Sequence, residues 1–262
     1  ALALRDYAGS LRSLAALAPF THPVFGAHAQ YLLGRTHHLL EERVEAGARY
    51  EAVITGYEKA KAAAQQQLQN GAALANQPDE RARLEAYVRT PPDYVIRSQF
   101  HAAVLLQEQQ KSGDALVKLT AFLQQQPQSP LADEAKLRQA MAQVELRQFP
   151  PAVQTLNALA NHPLLADRAL LWLARATVNG ADPAQAQPYA QALTTAIGQF
   201  TQAAEKANQR IAQEPEAKQR RGEILMELGD LQVQTRQFAA AATTFETGAK
   251  ENITPLRNEE FL

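Results

Sequence analysis

Fourteen prolines cut this chain of 262 residues into short segments. A proline inside a helix removes a backbone donor and clashes with the preceding turn, so each segment has room for one or two helices at most. Within the segments apolar residues recur at three and four: Tyr31, Leu32, Leu39 and Leu40, then Tyr50, Val53, Ile54 and Tyr57, then Phe100, Val104 and Leu105, then Leu137, Met141 and Val144. That is the period of one helix face, and the alternation of a half-buried strand is essentially missing. Ala and Gln dominate the chain and favour helix, while aromatic residues are only 6% of it. The expectation is an all-α fold of eleven or twelve helices, with Ser10, Asp133, Asp167 and Asp182 placed as capping residues.

Charge and composition exclude several classes of role. Lys plus Arg number 26 against 27 Asp plus Glu, so no general attraction for nucleic acid or an anionic membrane is expected. With no Cys there are no disulfides, thiolate metal sites or cysteine nucleophiles. No uninterrupted apolar stretch reaches the roughly 20 residues of a membrane span. The chain opens Ala1-Leu2-Ala3-Leu4-Arg5 with no visible signal peptide. Arg in excess of Lys, abundant Gln and absent Cys fit a GC-rich bacterial source and lean weakly toward the periplasm or cell envelope.

A chain of short helices invites a search for self-similarity. Val53, Ala115, Ala152, Ala186 and Ala241 each open a similar segment, and they stand 62, 37, 34 and 55 residues apart. Two of these gaps are close to 34, and the larger two accommodate longer helical hairpins or a small extra helix between Asp79 and Tyr87. Glu223 to Gly248 reads EILMELGDLQVQTRQFAAAATTFETG, with a Leu228-Gly229 pair followed by Ala241 and Phe245. This segment resembles the tetratricopeptide-repeat family, whose antiparallel helix pairs of about 34 residues carry a Leu-Gly pair, then A-x-x-x-F, then Pro. A first copy has Leu33-Gly34 and then Tyr50, Tyr57 and Ala60, with about two extra turns between its halves. A second has Ala115, Leu119 and Pro127, a third Phe149, Ala152 and Leu156, and the fourth departs most, with Ala190 replacing the aromatic and Pro188 interrupting.

The resemblance implies a right-handed superhelical solenoid of about five antiparallel pairs, forming a single domain over 1–262. Residues 1–23 read as the second helix of a truncated repeat and 24–90 as a first repeat with a long insertion. Degenerate repeats follow at 91–130, 131–163 and 164–215, and the best-conforming one at 216–262. The apparent half-repeats at either end lead to the expectation that this is a fragment of a longer bacterial protein. Gly34, Ala115, Ala152 and Gly229 are expected to let paired helices approach closely, with Tyr57, Leu119, Leu156 and Phe245 filling the space against the next pair.

In that family the first helices of successive pairs line a concave groove that holds a protein segment. Carried over copy by copy, the groove residues are Tyr31, Arg35 and His38; Arg97, Phe100 and Val104; Leu137, Met141 and Glu145; Arg168, Leu171 and Arg175; and Met226 and Asp230. The Arg and His excess among them implies an acidic, aliphatic guest. The Lys and Asn places of the family's terminal-carboxylate clamp carry other residues here, so no such clamp is expected.

Chemistry has few candidates. His37-His38 with Glu41 and Glu42 is the nearest thing to a metal constellation but lacks a third ligand, and the expectation is a salt-bridged turn. His22, His28, His101 and His162 read as isolated surface or helix-end residues, Glu41-Glu42-Glu45 and Glu259-Glu260 as solvated faces, and Lys218, Arg220 and Arg221 as an exposed helix start. The Gln runs at 65–67 and 124–126 read as surface helix. Phosphate-binding loops and nucleophile elbows are absent, and no catalytic residue, cofactor or metal is expected. The resulting expectation is a protein-interaction scaffold, with a self-associating building block as the alternative, joined through long helices near 56–90 and 189–214.

Overall fold

The computed structural model describes residues 6–21, 25–70, 74 and 76–251. Expectations for His22 and for the segment containing Pro255, Glu259 and Glu260 lie outside the described residues. The chain is all-α, with twelve helices and no strand among the described residues: α1 (Tyr7–Ala15), α2 (Gly26–Leu39), α3 (Arg43–Gln69), α4 (Pro78–Arg89), α5 (Asp93–Glu108), α6 (Ser112–Gln125), α7 (Ala132–Glu145), α8 (Phe149–Leu159), α9 (Ala166–Asn179), α10 (Ala186–Arg210), α11 (Glu216–Gln234) and α12 (Phe238–Lys250). They divide into two compact units, Ala1–Ser129 and Pro130–Leu262. In the first, α2 packs antiparallel on α3 and α5 on α6, with α3 also meeting α5; in the second the pairs α7–α8, α9–α10 and α11–α12 stack in succession.

Four of the five pairs share one construction. The helices are joined through Leu40–Glu42, Gln109–Lys111, Leu146–Gln148 and Thr235–Gln237. In each turn the middle residue is left-handed: Glu41 (φ 60°), Gln110 (60°), Arg147 (59°) and Arg236 (60°). The next N–H reaches back five residues, from Glu42 to His37 O (2.9 Å), Lys111 to Leu106 O (2.9 Å), Gln148 to Gln143 O (2.8 Å) and Gln237 to Gln232 O (2.8 Å). This Schellman closure satisfies carbonyls that the helix end would leave bare. None of the four left-handed residues is Gly, so the usual sequence sign of such a stop is missing.

Counted back from these turns, the first helix places Gly34, Ala103, Ala140 and Gly229 in the same register, and the second places Ala46, Ala115, Ala152 and Ala241 opposite, followed by Tyr50, Leu119, Leu156 and Phe245. All are buried except Phe245, which is half-buried. Sizes are complementary: the two Gly pairs carry an aromatic and the two Ala pairs a Leu. A Cβ on Gly34 would lie 2.9 Å from the Tyr50 ring, and one on Gly229 2.2 Å from the Phe245 ring. The aromatic therefore seats on its own pair's glycine, and a side chain there would displace it.

This register corrects the sequence alignment in two places. In the first pair the matching residues are Ala46 and Tyr50 in place of Val53 and Tyr57, so no turns are inserted between the halves and the extra length lies beyond them, along the rest of α3. Tyr57 packs instead on Tyr87 of α4 and donates to its carbonyl at 3.1 Å. The α4 helix occupies the place anticipated for a small extra helix, and Leu84 closes a satellite core with Ala64 and Leu74. In the fourth pair the connection runs Gly180–Gln185, longer than the others, which leaves Ala186 and Ala190 exposed and moves burial to Leu193, Ala196 and Phe200. Pro188 falls in the first turn of α10, where its missing N–H has no partner to lose.

The capping expectations also change. Asp6, not Ser10, caps α1, accepting from Gly9 N at 2.8 Å. Asp133 and Asp167 lie one residue inside their helices, and Asp182 accepts from Ala184 N at 2.9 Å, ahead of α10. Among the described residues no helix is long and apolar enough to cross a membrane.

Candidate partner-binding faces

In the first unit, α2 and α5 bring four expected residues, Tyr31, Arg35, His38 and Arg97, into one polar and aromatic cluster. Helical spacing puts His28, Tyr31, Arg35 and His38 on one face of α2. His38 Nε2 lies 2.9 Å from Glu108 Oε2 and its Nδ1 3.1 Å from the Tyr50 hydroxyl. The order Glu108–His38–Tyr50 is that of a proton relay, but it ends on a phenol with 0% exposure, out of reach of any substrate. It ties α5, α2 and α3 together. Burial pushes the Tyr50 phenol above its ordinary range, opposed by the charge and hydrogen bond of Arg35. Burial likewise raises Tyr31 against the nearby charges of Arg35 and Arg97, and Arg97 hydrogen-bonds this phenol while its Nε holds Asp93 at 2.6 Å.

His28 and His101, read from sequence as isolated, belong to this cluster. His28 stacks with Tyr31 and Tyr94 at centroid distances of 6.3 and 5.7 Å, and His101 with Tyr31 and Tyr50 at 6.4 and 5.8 Å. The helical spacing from Tyr31 is the signal that could have found His28; His101 is adjacent to Phe100 in sequence but needs the fold to reach Tyr50. His37 pairs with Glu42 at 2.6 Å, whereas His38 turns to Glu108, because the left-handed Glu41 ends the helix that an i, i+4 pairing assumed. No cluster of three or more His, Asp or Glu residues able to hold a metal occurs among the described residues.

Five of the fourteen groove residues are core: Leu137 (0% exposed), Leu171, Phe100, Val104 and Tyr31 (8%). Their side chains pack within their own units and offer a guest almost no surface. Arg35, His38, Arg97, Met141, Arg168 and Arg175 retain some exposure.

In the second unit, the arginines are paired across neighbouring helices. Arg168 grips Glu134 with two hydrogen bonds of 2.7 Å, and Arg138 joins the same carboxylate at 3.0 Å. Arg175 forks onto Glu227 and lies over the Trp172 ring, 4.6 Å from its centroid. These bridges span 34 and 52 residues of sequence. The cation excess read from sequence is therefore offset by carboxylates on α7 and α11, and the basis for an acidic guest in this unit is lost. Lys218, Arg220 and Arg221, expected as an exposed start, also turn inward in part: Arg220 holds the fully buried Asp167 at 2.7 Å and Glu214 at 2.9 Å, and Arg221 binds Glu251 and the Ala204 carbonyl. Asp167 Oδ1 is buried without a hydrogen-bond partner. Although burial opposes it, the Arg220 hydrogen bond and the Arg220 and Arg210 charges hold Glu214 below its ordinary value.

Two clefts flank Arg175. One, of about 230 Å³, has Val178, Phe200 and Leu231 beneath and the exposed Asn179, Asp230 and Gln234 at its rim. The other, of about 300 Å³, lies between Glu145, Phe149 and Trp172. Sequence reasoning did not place Trp172, Asn179, Glu227 or Gln234 in the groove: the single Trp stands out in composition, but only the fold brings Arg175 over its ring, and nothing local distinguishes the other three from other helix-surface residues.

No family model matches this chain, and no curated protein matches it. Among solved structures it is similar to one described as "MamA RS-1 ArsTM double mutant", at 16% identity with a TM-score of 0.45, over 73% of this chain and 94% of that one.

Proposed function

We propose that this chain is a non-catalytic protein-interaction scaffold, a run of tetratricopeptide-like helix pairs that holds a segment of a partner protein over the faces of its first helices. The observation that carries the reading is the pair of clefts meeting at Arg175. Apolar floors, a rigid ion-paired wall and exposed amide and carboxylate rims suit an extended chain that buries some side chains and hydrogen-bonds through its backbone. Saturated arginines and buried apolar residues preorganise that wall, so little ordering cost remains for binding.

Charge reversal at Arg168 and Arg175 would not be neutral for stability, since it would set new carboxylates against Glu134 and Glu227. The exposed rim is the better target. Affinity capture from the native lysate should recover a partner with the wild-type chain and lose it with Asn179→Arg/Asp230→Arg, while Tm stays within about 2 °C. A partner held equally by both would refute the reading.

The alternative, a self-associating building block, draws on large apolar residues exposed on second helices: Val44 (79%), Val117 (69%) and Phe238 (63%). Capture of the parent protein alone by both baits, with a molecular mass that rises with concentration in ultracentrifugation, would favour it.

A further inference from the structure

We propose that the α2–α5 face of the first unit recognises an Asp or Glu side chain of the bound partner segment, with Arg35 of α2 and Arg97 of α5 as its ligands. This rests on the scaffold reading above and assigns it a chemistry. Among the described residues no carboxylate pairs with Arg35; its hydrogen bond goes to the Tyr50 phenol, and its charge is felt at Tyr31. Arg97 is exposed and gives its Nε to Asp93, and its remaining contact is the Tyr31 phenol. A phenol accepts a hydrogen bond but cancels no charge while it stays protonated, and burial keeps both phenols protonated at neutral pH.

Of these two guanidinium groups, among the described residues only Arg97 is paired with a carboxylate, Asp93. Glu108, the other acid nearby, is engaged by His38 at 2.9 Å and lies 3.9 Å from Arg43. The second unit shows the contrast, where Arg168 and Arg175 each have a carboxylate fork already filled. An incoming carboxylate would give these guanidinium groups an oppositely charged, bidentate acceptor in place of an uncharged phenol oxygen. The rings of His28 and His101, both stacked on Tyr31, give flat surfaces on which the stem of the acidic residue can pack.

The test is to pan the full chain against a displayed library of random peptides and score which residues are enriched. Wild type should enrich Asp or Glu at one position of the selected peptides. That enrichment should vanish with Arg35→Gln and with Arg97→Gln, and persist with Arg83→Gln, which removes the same charge from an exposed site on α4. Circular dichroism melts check that each variant is folded. For the best peptide, Kd should rise about tenfold in either arginine variant, and replacing its acid by Gln should cost the same in wild type and nothing further in Arg35→Gln. Peptides enriched without an acid, or acidic enrichment that survives both variants, would overturn this assignment while leaving the scaffold reading standing. Failure to enrich any peptide would overturn both.

Discussion

Replacing Gly229 by Ala should destabilise the second unit, whereas the same change at Gly198 should stabilise it. Both glycines lie inside helices, where Ala gains about 0.5–1 kcal/mol over Gly from reduced backbone freedom in the unfolded chain. At Gly198, in α10, the new Cβ would meet nothing within 4 Å, so the gain is kept. At Gly229, in α11, it would lie 2.2, 2.5 and 2.7 Å from three atoms of the Phe245 ring. The ring must move by about an ångström against its neighbours, and overpacking of this kind costs about 1–3 kcal/mol. The net expectation is a loss of about 1–2 kcal/mol at Gly229 and a gain of about 0.5–1 at Gly198. Urea unfolding followed by fluorescence of Trp172, in the same unit, would show the two midpoints moving in opposite directions at constant slope. Adding Phe245→Leu to Gly229→Ala recreates the Ala and Leu combination of Ala140 with Leu156 and should recover most of the loss. A Gly229→Ala midpoint at or above wild type would refute the close-approach argument, as would a double variant no better than the single.

Three further outcomes follow from other parts of the fold. Arg220→Ala strands the Asp167 carboxylate, 0% exposed, without its partner, and should cost about 3–5 kcal/mol; adding Asp167→Asn should return much of it, and equal stability of the single variant and wild type in thermal melts would contradict the account. Gln110→Gly and Arg236→Gly relieve left-handed residues at φ 60° and should each raise stability by about 0.5–1 kcal/mol in denaturant titrations, a drop in either counting against strain at these turns. Burial first, then the neighbouring Tyr87 and Glu58, raises Tyr57 from 10.0 to about 12, so its contribution is intact below pH 10 and is lost as pH rises through about 12. Phenolate absorbance in an alkaline titration should therefore lag behind that of free tyrosine and rise together with loss of helix; ordinary titration near pH 10 with helix retained would exclude the buried phenol.

The helical class was legible because a period of three to four apolar residues survives without any knowledge of partners. So was the last pair, where Leu228-Gly229 and Ala241-x-x-x-Phe245 are both present. The first pair was misaligned because α3 offers two overlapping candidates, Ala46 with Tyr50 and Val53 with Tyr57, each apolar at helical spacing. Only the 2.9 Å approach of a Gly34 Cβ to the Tyr50 ring decides between them. The turns were hidden for another reason: their left-handed residues are Glu41, Gln110, Arg147 and Arg236, none of which advertises a helix stop.

The candidate faces were half legible. The resemblance to tetratricopeptide repeats pointed to Tyr31, Arg35 and His38, but an arginine looks the same in sequence whether its charge is spent or available. By itself the sequence determined that this chain pairs short helices around small residues, since that information is periodic and local. The tertiary structure decided which register each pair adopts, which apolar residues became core, and which cations meet carboxylates 34 or 52 residues away. Charge compensation and burial depend on neighbours in space, and those neighbours are set only when the helices stack.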